Sequence, residues 1–271
     1  MTKKIPLLLG VGIILVILAM GILAPWLAPH DPLAIHLSNR LSSPSWFYPF
    51  GTDHLGRCVL SRILYGIRTT VACSFLILVF TILIGLPIGL LSGYSRSRPD
   101  HFLMRVIEGT LAIPDMVLTL AIVGILGPGL LNMAVAILMV RWAMYVRVIR
   151  SLVLKVTKED YILAARMSGN SHVRILRHYL LPQILSPILV YATLDMGRIV
   201  LLIAGLSFLG LGTQPPTPEW GVMLHDATAY FQLAPHVMIF PGLAIVLFVL
   251  SCQLVSDRFK ALDVPLQKRG V

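Results

Sequence analysis

The chain has 271 residues, of which 57% are apolar and 13% charged, about half the charged share of an ordinary soluble domain. Its apolar residues fall in long blocks rather than at amphipathic spacing, which argues against a soluble globular protein and for one polytopic membrane domain. The formal charge of +10 comes from 22 Lys and Arg against 12 Asp and Glu, and the cations sit beside the apolar blocks, a placement that suits a bilayer face and not a nucleic-acid partner.

Ile5 to Pro29 carries no charge and follows Lys3 and Lys4. Its apolar core is about twice the 7–15 residues of a signal-peptide h-region, so it reads as a retained first helix and not a cleaved leader. The connection from His30 to Arg68 is rich in Ser and Pro. Within it Trp46, Phe47 and Tyr48 suit a membrane interface, and Ser61 to Arg68 suits the start of an amphipathic helix. The three cysteines, Cys58, Cys73 and Cys252, are odd in number and far apart, with neither metal-ligand nor disulfide-framework spacing.

Thr69 to Ser95 is free of charge and predicts a second helix at about Val71 to Leu91. Gly85, Gly89 and Gly93 recur every four residues along it, the spacing of close helix contact in membranes, and Pro87 predicts a kink. Phe102 to Ile149 is too long for one crossing of a ~30 Å core, and Gly127-Pro128-Gly129 divides it into a helical hairpin. Ile184 to Leu211 supplies a fifth helix and Val237 to Val255 a sixth.

The expected fold is therefore all-α, with six transmembrane helices and both termini on one side. With that side taken as the N-terminal one, its segments carry 17 of the 22 cations, Arg141 counted among them, against Arg40, Arg57, Arg62 and Arg68 on the other. The bias predicts cytoplasmic termini. Residues 1–70 hold the first helix and outer loop, 71–256 a five-helix core with a cytosolic loop at 155–182, and 257–271 a cytosolic tail.

That loop is the most informative segment. Thr157 and Asp160 have the spacing of a capping box, predicting a helix start. Tyr161, Ala164, Ala165 and Ser168 then share one face, and Gly169 is placed as the stop. A second short helix is expected from Ser171 to Leu181, ending at Pro182. Two short helices hinged at a glycine fit either a lipid-lying loop or a surface on which another protein sits.

The string Ala164-Ala165-x-x-x-Gly169, with Leu181-Pro182 after it, resembles the EAA loop of bacterial ABC importer permeases. Leu163 stands where that family has Glu. Gly51-Thr52-Asp53-His54-Leu55-Gly56-Arg57, with Leu60-Ser61-Arg62, resembles the outer-loop motif of the dipeptide, oligopeptide and nickel permeases; Cys58 takes the place of a common Asp. Ser207 to Gly212 and Pro218-Glu219-Trp220-Gly221 are similar to the same family's fifth-helix exit and following loop.

The resemblance implies a type I ABC importer permease of the inner membrane, the C-type subunit, with no cofactor. Its implied partners are a B-type permease, two ATP-binding subunits, an extracytoplasmic substrate-binding protein and the lipid bilayer. It implies that Asp160, Tyr161, Ala164, Ala165, Arg166 and Gly169 couple to the ATPase. His54, Leu194-Asp195-Met196-Gly197 and Trp220-Gly221-Val222-Met223 look more like the nickel permease than the dipeptide one, so nickel or a nickel chelate is the expected cargo and short peptides the alternative.

Within the spans, Asp195 and Arg198 stand three apart on the fifth helix and are expected to face the interior, paired with each other or with a partner subunit. Asp115, after Pro114, is a further candidate. Each fits either a pathway or a packing role. The eight histidines show no helical i, i+4 metal pair. No phosphate-binding loop, zinc-protease motif or nucleophile elbow occurs, so no catalytic residue is expected and energy must come from another subunit. A membrane-embedded enzyme would need more converging polar residues, and a scaffold would not need the hinged loop.

Overall fold

The computed structural model describes residues 5–95 and 98–267; Lys3, Lys4, Arg96, Lys268 and Arg269 of the cation count lie outside them. Among the described residues the regular structure is helical, apart from one isolated bridge between Thr52 and Cys58. Helix α1 (Ile5–Ile22) is followed by a short turn at Ala24–Leu27. The connection that follows is ordered by side-chain and backbone hydrogen bonds rather than by regular structure.

Helix α2 (Val59–Ser95) has 37 residues, a length of about 55 Å at the α-helical rise. The amphipathic start expected at Ser61 is its first turns, continuous with the span; Gly66 between them stays helical, packed against Trp220. Helix α3 (Arg98–Ala112) meets α4 (Asp115–Leu126) at a 92° bend across Ile113 and Pro114. The apolar pattern predicts a single third helix here. Pro114 cannot continue the hydrogen-bond ladder and holds the residue before it out of the helical region.

Gly127 and Gly129, at φ +85° and +144°, turn the chain into α5 (Leu130–Val156). The loop helix α6 (Asp160–Met167) comes next, and then α7 (His172–Phe208). The expected stop at Pro182 does not occur. Ile175–Leu180 forms a wide π-type segment, in which the Leu181 N–H reaches the Leu176 carbonyl, and the helix runs on past the proline. Helices α8 (Trp220–Ala227) and α9 (His236–Gln267) complete the chain.

The glycine stripe sets the central packing. A Cβ at Gly85, Gly89 or Gly93 would lie 2.7–2.8 Å from the Cβ of Tyr145, Ile149 or Val153, so α2 and α5 approach along three successive turns. That contact and α4 and α7 enclose the main core, which includes Ile77, Val123, Met133, Ile149 and Ile199. A second core joins α2, α7, α8 and α9 around Trp220 and Phe248.

Among the described residues three helical stretches are long and apolar enough to cross a membrane: α2, α7, and His236–Asp257 within α9. The bent pair α3–α4 makes a fourth when taken as one span. By length and composition, three or four of the six expected spans are thus long and apolar enough to cross.

Candidate functional site

The loop after α5 is built differently from its sequence signals. Thr157 ends α5, its hydroxyl bonded to the Leu154 carbonyl at 3.1 Å, and Glu159 caps the start of α6 without a side-chain bond. The expected capping box therefore does not form, because Thr157 is still held by the preceding helix. At the other end Gly169 takes φ +75° and the Asn170 N–H returns to the Ala165 carbonyl at 3.3 Å, closing α6.

Ile162 and Ala165, three residues apart, point inward, where Ile162 joins Ile175 and Leu180 in the main core. Ala165 is thus not on the free face with Tyr161 and Ala164, as its spacing suggested; the helical period places it over Ile162 instead. The outward face carries Asp160, Tyr161, Leu163, Ala164 and Met167. Met167 is 89% exposed and nearby Val173 72%, so the segment presents apolar side chains that this chain does not cover. Tyr94 ties the loop to α2: its hydroxyl stands 2.8 Å from His172 Nδ1, and the Arg166 guanidinium lies over its ring at 4.9 Å.

The middle of the bundle holds a charge cluster. Arg141, on α5 and almost wholly buried, pairs through Nη2 with Asp195 Oδ1, through Nε with Asp195 Oδ2 at 3.2 Å, and through Nη1 with Asp115 Oδ2 at 3.1 Å. Asp195 is fully buried. Asp115 begins α4 directly after the Pro114 bend, which brings it to Arg141 with its side chain half exposed.

Two expectations change here. Asp195 takes Arg141 and not Arg198 as its partner, and Arg198 stands exposed on α7. Arg141, counted with the cytosolic cations, belongs to the interior. A buried carboxylate needs an opposite charge at bonding distance, and the α5–α7 packing supplies one 54 residues away. Tyr145 and Tyr191 flank the cluster, rings 5.2 Å apart and edge to face.

At the far end of α2 the outer-loop motif folds as a staple. Asp53 Oδ1 accepts the N–H groups of Leu55 and Arg57, both at 2.9 Å, while Oδ2 meets Arg57 Nε at 2.6 Å and Arg62 Nε at 3.6 Å. Arg57 also reaches Asp226 of α8 at 3.5 Å. Thr52 accepts from the Ser42 N–H and donates to the Asn39 carbonyl. Gly51 and Gly56 both have positive φ, and His54 stacks on Tyr230 at 5.5 Å. These residues hold the loop to α2 and α8.

Glu219 is a second anchor that the sequence reading did not assign. Fully buried, it caps α8 by accepting from Gly221 N–H at 2.9 Å and Val222 N–H at 3.0 Å, and it takes the Thr70 hydroxyl at 3.0 Å. Burial pushes its carboxyl above the ordinary range, against the pull of these donors. Among the described residues no three His, Cys, Asp or Glu side chains come together as a metal site. Sequence reasoning missed Arg141 and Tyr94, and it met Glu219 only inside a family string, with no role attached. The signal for Arg141 was the residue itself, a lone cation well inside an apolar run.

Residues 85–266 match the family described as binding-protein-dependent transport system inner membrane component, and residues 6–44 match the N-terminal TM domain of oligopeptide transport permease C. The nickel transport system permease protein NikC of Escherichia coli (strain K12) is 40% identical over 92% of this chain and 90% of its own. The di/tripeptide transport system permease protein DppC of Pseudomonas aeruginosa is 40% identical over 95% and 88%. In fold, the chain is similar to a solved chain of the inward-facing MetNI methionine ABC transporter, with TM-score 0.62 and 21% identity over 74% of this chain and 96% of that one.

Proposed function

The chain belongs to the family of binding-protein-dependent transport system inner membrane components, as a permease subunit of an ABC importer in the inner membrane, and we propose that it moves its cargo by alternating access driven from the α6 loop. The observation that carries this reading is the outward face of α6. Tyr161, Leu163 and Met167 are exposed and apolar, on a helix fixed to the bundle by Ile162 and Ala165 on its other side. A docking helix needs that combination, a free face for the partner and a seated one to pass on the motion.

In this reading the chain crosses the membrane six times with cytoplasmic termini, and residues 71–256 are its permease core. It pairs with a B-type permease and two ATP-binding subunits, which hydrolyse ATP, and receives cargo from an extracytoplasmic binding protein. Asp160, Tyr161, Ala164, Arg166 and Gly169 form or shape the docking helix, with Ala165 as its inner anchor. Asp115, Asp195 and Arg198 lie along the pathway. ATP-driven closure of the partner subunits moves α6, and the states differ in free energy only through contacts that differ between them.

The cargo we propose is nickel or a nickel chelate, from the nickel-like strings around His54, Asp195 and Trp220. Short peptides are the second reading, favoured by the equal identity to a di/tripeptide permease. Two measurements test these points. Cysteines at Leu163 and Met167 should crosslink to the ATP-binding subunit while one at Ala165 does not; crosslinking at Ala165 alone would overturn the docking face. Cells deleted for this chain should lose uptake of labelled nickel and keep dipeptide uptake. The reverse result assigns peptides.

A further inference from the structure

Beside the Arg141 cluster lies a second polar group that the pairing leaves unused. Tyr191, Asp195 and Arg198 occupy one face of α7 at i, i+4 and i+7. Asp195 is taken up by Arg141, whereas Arg198 is exposed and, among the described residues, meets no carboxylate at ion-pair distance. Its guanidinium lies beside the Tyr191 hydroxyl without hydrogen-bond geometry. Tyr145, packed edge to face on Tyr191, reaches into the same place from α5. Both phenol hydroxyls are buried, and among the described residues neither has a hydrogen-bond partner.

Unpartnered buried hydroxyls are rare in native proteins and call for a specific explanation. So does a free arginine on an apolar helix of this length. Asp115 faces Tyr191 from α4, but its carboxylate is engaged by Arg141 and does not neutralise Arg198. One guanidinium and two hydroxyl groups, with no free carboxylate among them, therefore gather at the edge of the central cluster.

We propose that Arg198, Tyr191 and Tyr145 form a station in the translocation pathway for the carboxylate group of a small cargo molecule. The proposal rests on the permease reading above and names the chemistry of what passes. A guanidinium binds a carboxylate through two parallel N–H bonds, and the phenol hydroxyls supply donors for the remaining lone pairs. A bare hydrated metal cation is disfavoured beside the Arg198 guanidinium, because the nearby carboxylates of Asp115 and Asp195 are both engaged by Arg141. A peptide carries the required carboxylate, and so does a metal ion wrapped in an amino-acid ligand. If the cargo is nickel, it crosses as such a chelate and not as the free ion.

The test uses the complete importer with its binding protein, reconstituted in vesicles, and three probes: labelled dialanine, labelled nickel with excess L-histidine, and labelled nickel alone. For whichever carboxylate-bearing probe the unaltered complex carries, Arg198→Gln should lower the amount transported per ATP hydrolysed by about tenfold or more, as loss of a charged hydrogen-bond donor implies. Tyr191→Phe, which keeps the ring and its packing, should lower it by about two- to tenfold, and Arg198→Lys should fall between Arg198→Gln and the unaltered complex.

Unchanged transport per ATP in Arg198→Gln overturns the station, as does efficient carriage of nickel alone. Loss of ATP hydrolysis and of co-purified partner subunits in both Arg198→Lys and Tyr191→Phe makes the group structural and also overturns it. If the unaltered complex carries none of the probes, the cargo reading itself fails, and the station with it.

Discussion

Tyr94 and His172 stand 2.8 Å apart, hydroxyl to Nδ1, where the last turn of α2 meets the segment that follows the α6 loop. With Arg166 over the same tyrosine ring, this one side chain joins both short segments of the loop to the 37-residue helix that reaches the outer staple. Motion of α6 has a direct route into α2 through it.

Tyr94→Ala should therefore leave assembly intact and weaken the stimulation of ATP hydrolysis by the loaded binding protein several-fold. Tyr94→Phe removes only the hydrogen bond, worth about 0.5–1.5 kcal/mol, and keeps the cation–π contact, worth about 0.5–1 kcal/mol at an exposed site. Its effect should be the smaller of the two. Equal stimulation in Tyr94→Ala and the unaltered complex would show that α6 acts through α7 alone.

The Arg141–Asp195 pair gives a stability prediction. Asp195→Leu leaves the buried Arg141 with only the half-exposed Asp115 as partner, at a cost approaching the about 3–5 kcal/mol of a stranded buried charge, so it should lower the thermal unfolding midpoint of the detergent-solubilised complex. Replacing both, as Arg141→Met with Asp195→Leu, should recover much of the loss, though Asp115 then loses its partner as well. A double variant no better than Asp195→Leu alone would mean that the pair is not what holds α5 to α7.

Gly89→Val tests the close contact of α2 with α5. The glycine has no room for a side chain, since its Cβ would lie 2.8 Å from the Ile149 Cβ, and overpacking of this kind costs about 1–3 kcal/mol. Trimming the opposite side with Ile149→Ala should partly restore the unfolding midpoint. The same second change in the unaltered background should destabilise, because it opens a void in the main core.

Glu219 gives a pH dependence with a fixed sign. The unfolded chain releases this proton near the ordinary value of 4.5, and the folded chain releases it only at higher pH. Between the two the folded state holds more protons, so stability falls as pH rises from 4.5 through the folded value. Glu219→Gln cannot titrate, and its unfolding midpoint should change less with pH over that window. Parallel pH profiles for the two proteins would remove the carboxyl from the account.

The family-bearing strings, the glycine pair bracketing Asp53 and the Ala-Ala-x-x-x-Gly of the loop, were legible because they depend on short spacing, and so was the packing stripe of three glycines on α2. What the loop would bury was not legible. Ala165 and Ala164 are the same residue type in adjacent positions, and only the seat of Ile162 against Ile175 and Leu180 decides which of them faces in. The Pro114 bend had a local signal in the proline itself, but the consequence, that Asp115 swings to Arg141, needs α5 in place.

By itself the sequence determined that the protein is helical and membrane-embedded, and it determined the family, because charge-free apolar blocks and a few short motifs are local properties of the chain. The tertiary structure decided the partners. Arg141 meets Asp195 across 54 residues and Tyr94 meets His172 across 78. No periodicity encodes such pairings; close helix packing brings the partners together, and for Arg141 and Asp195 the buried surroundings tolerate neither charge alone.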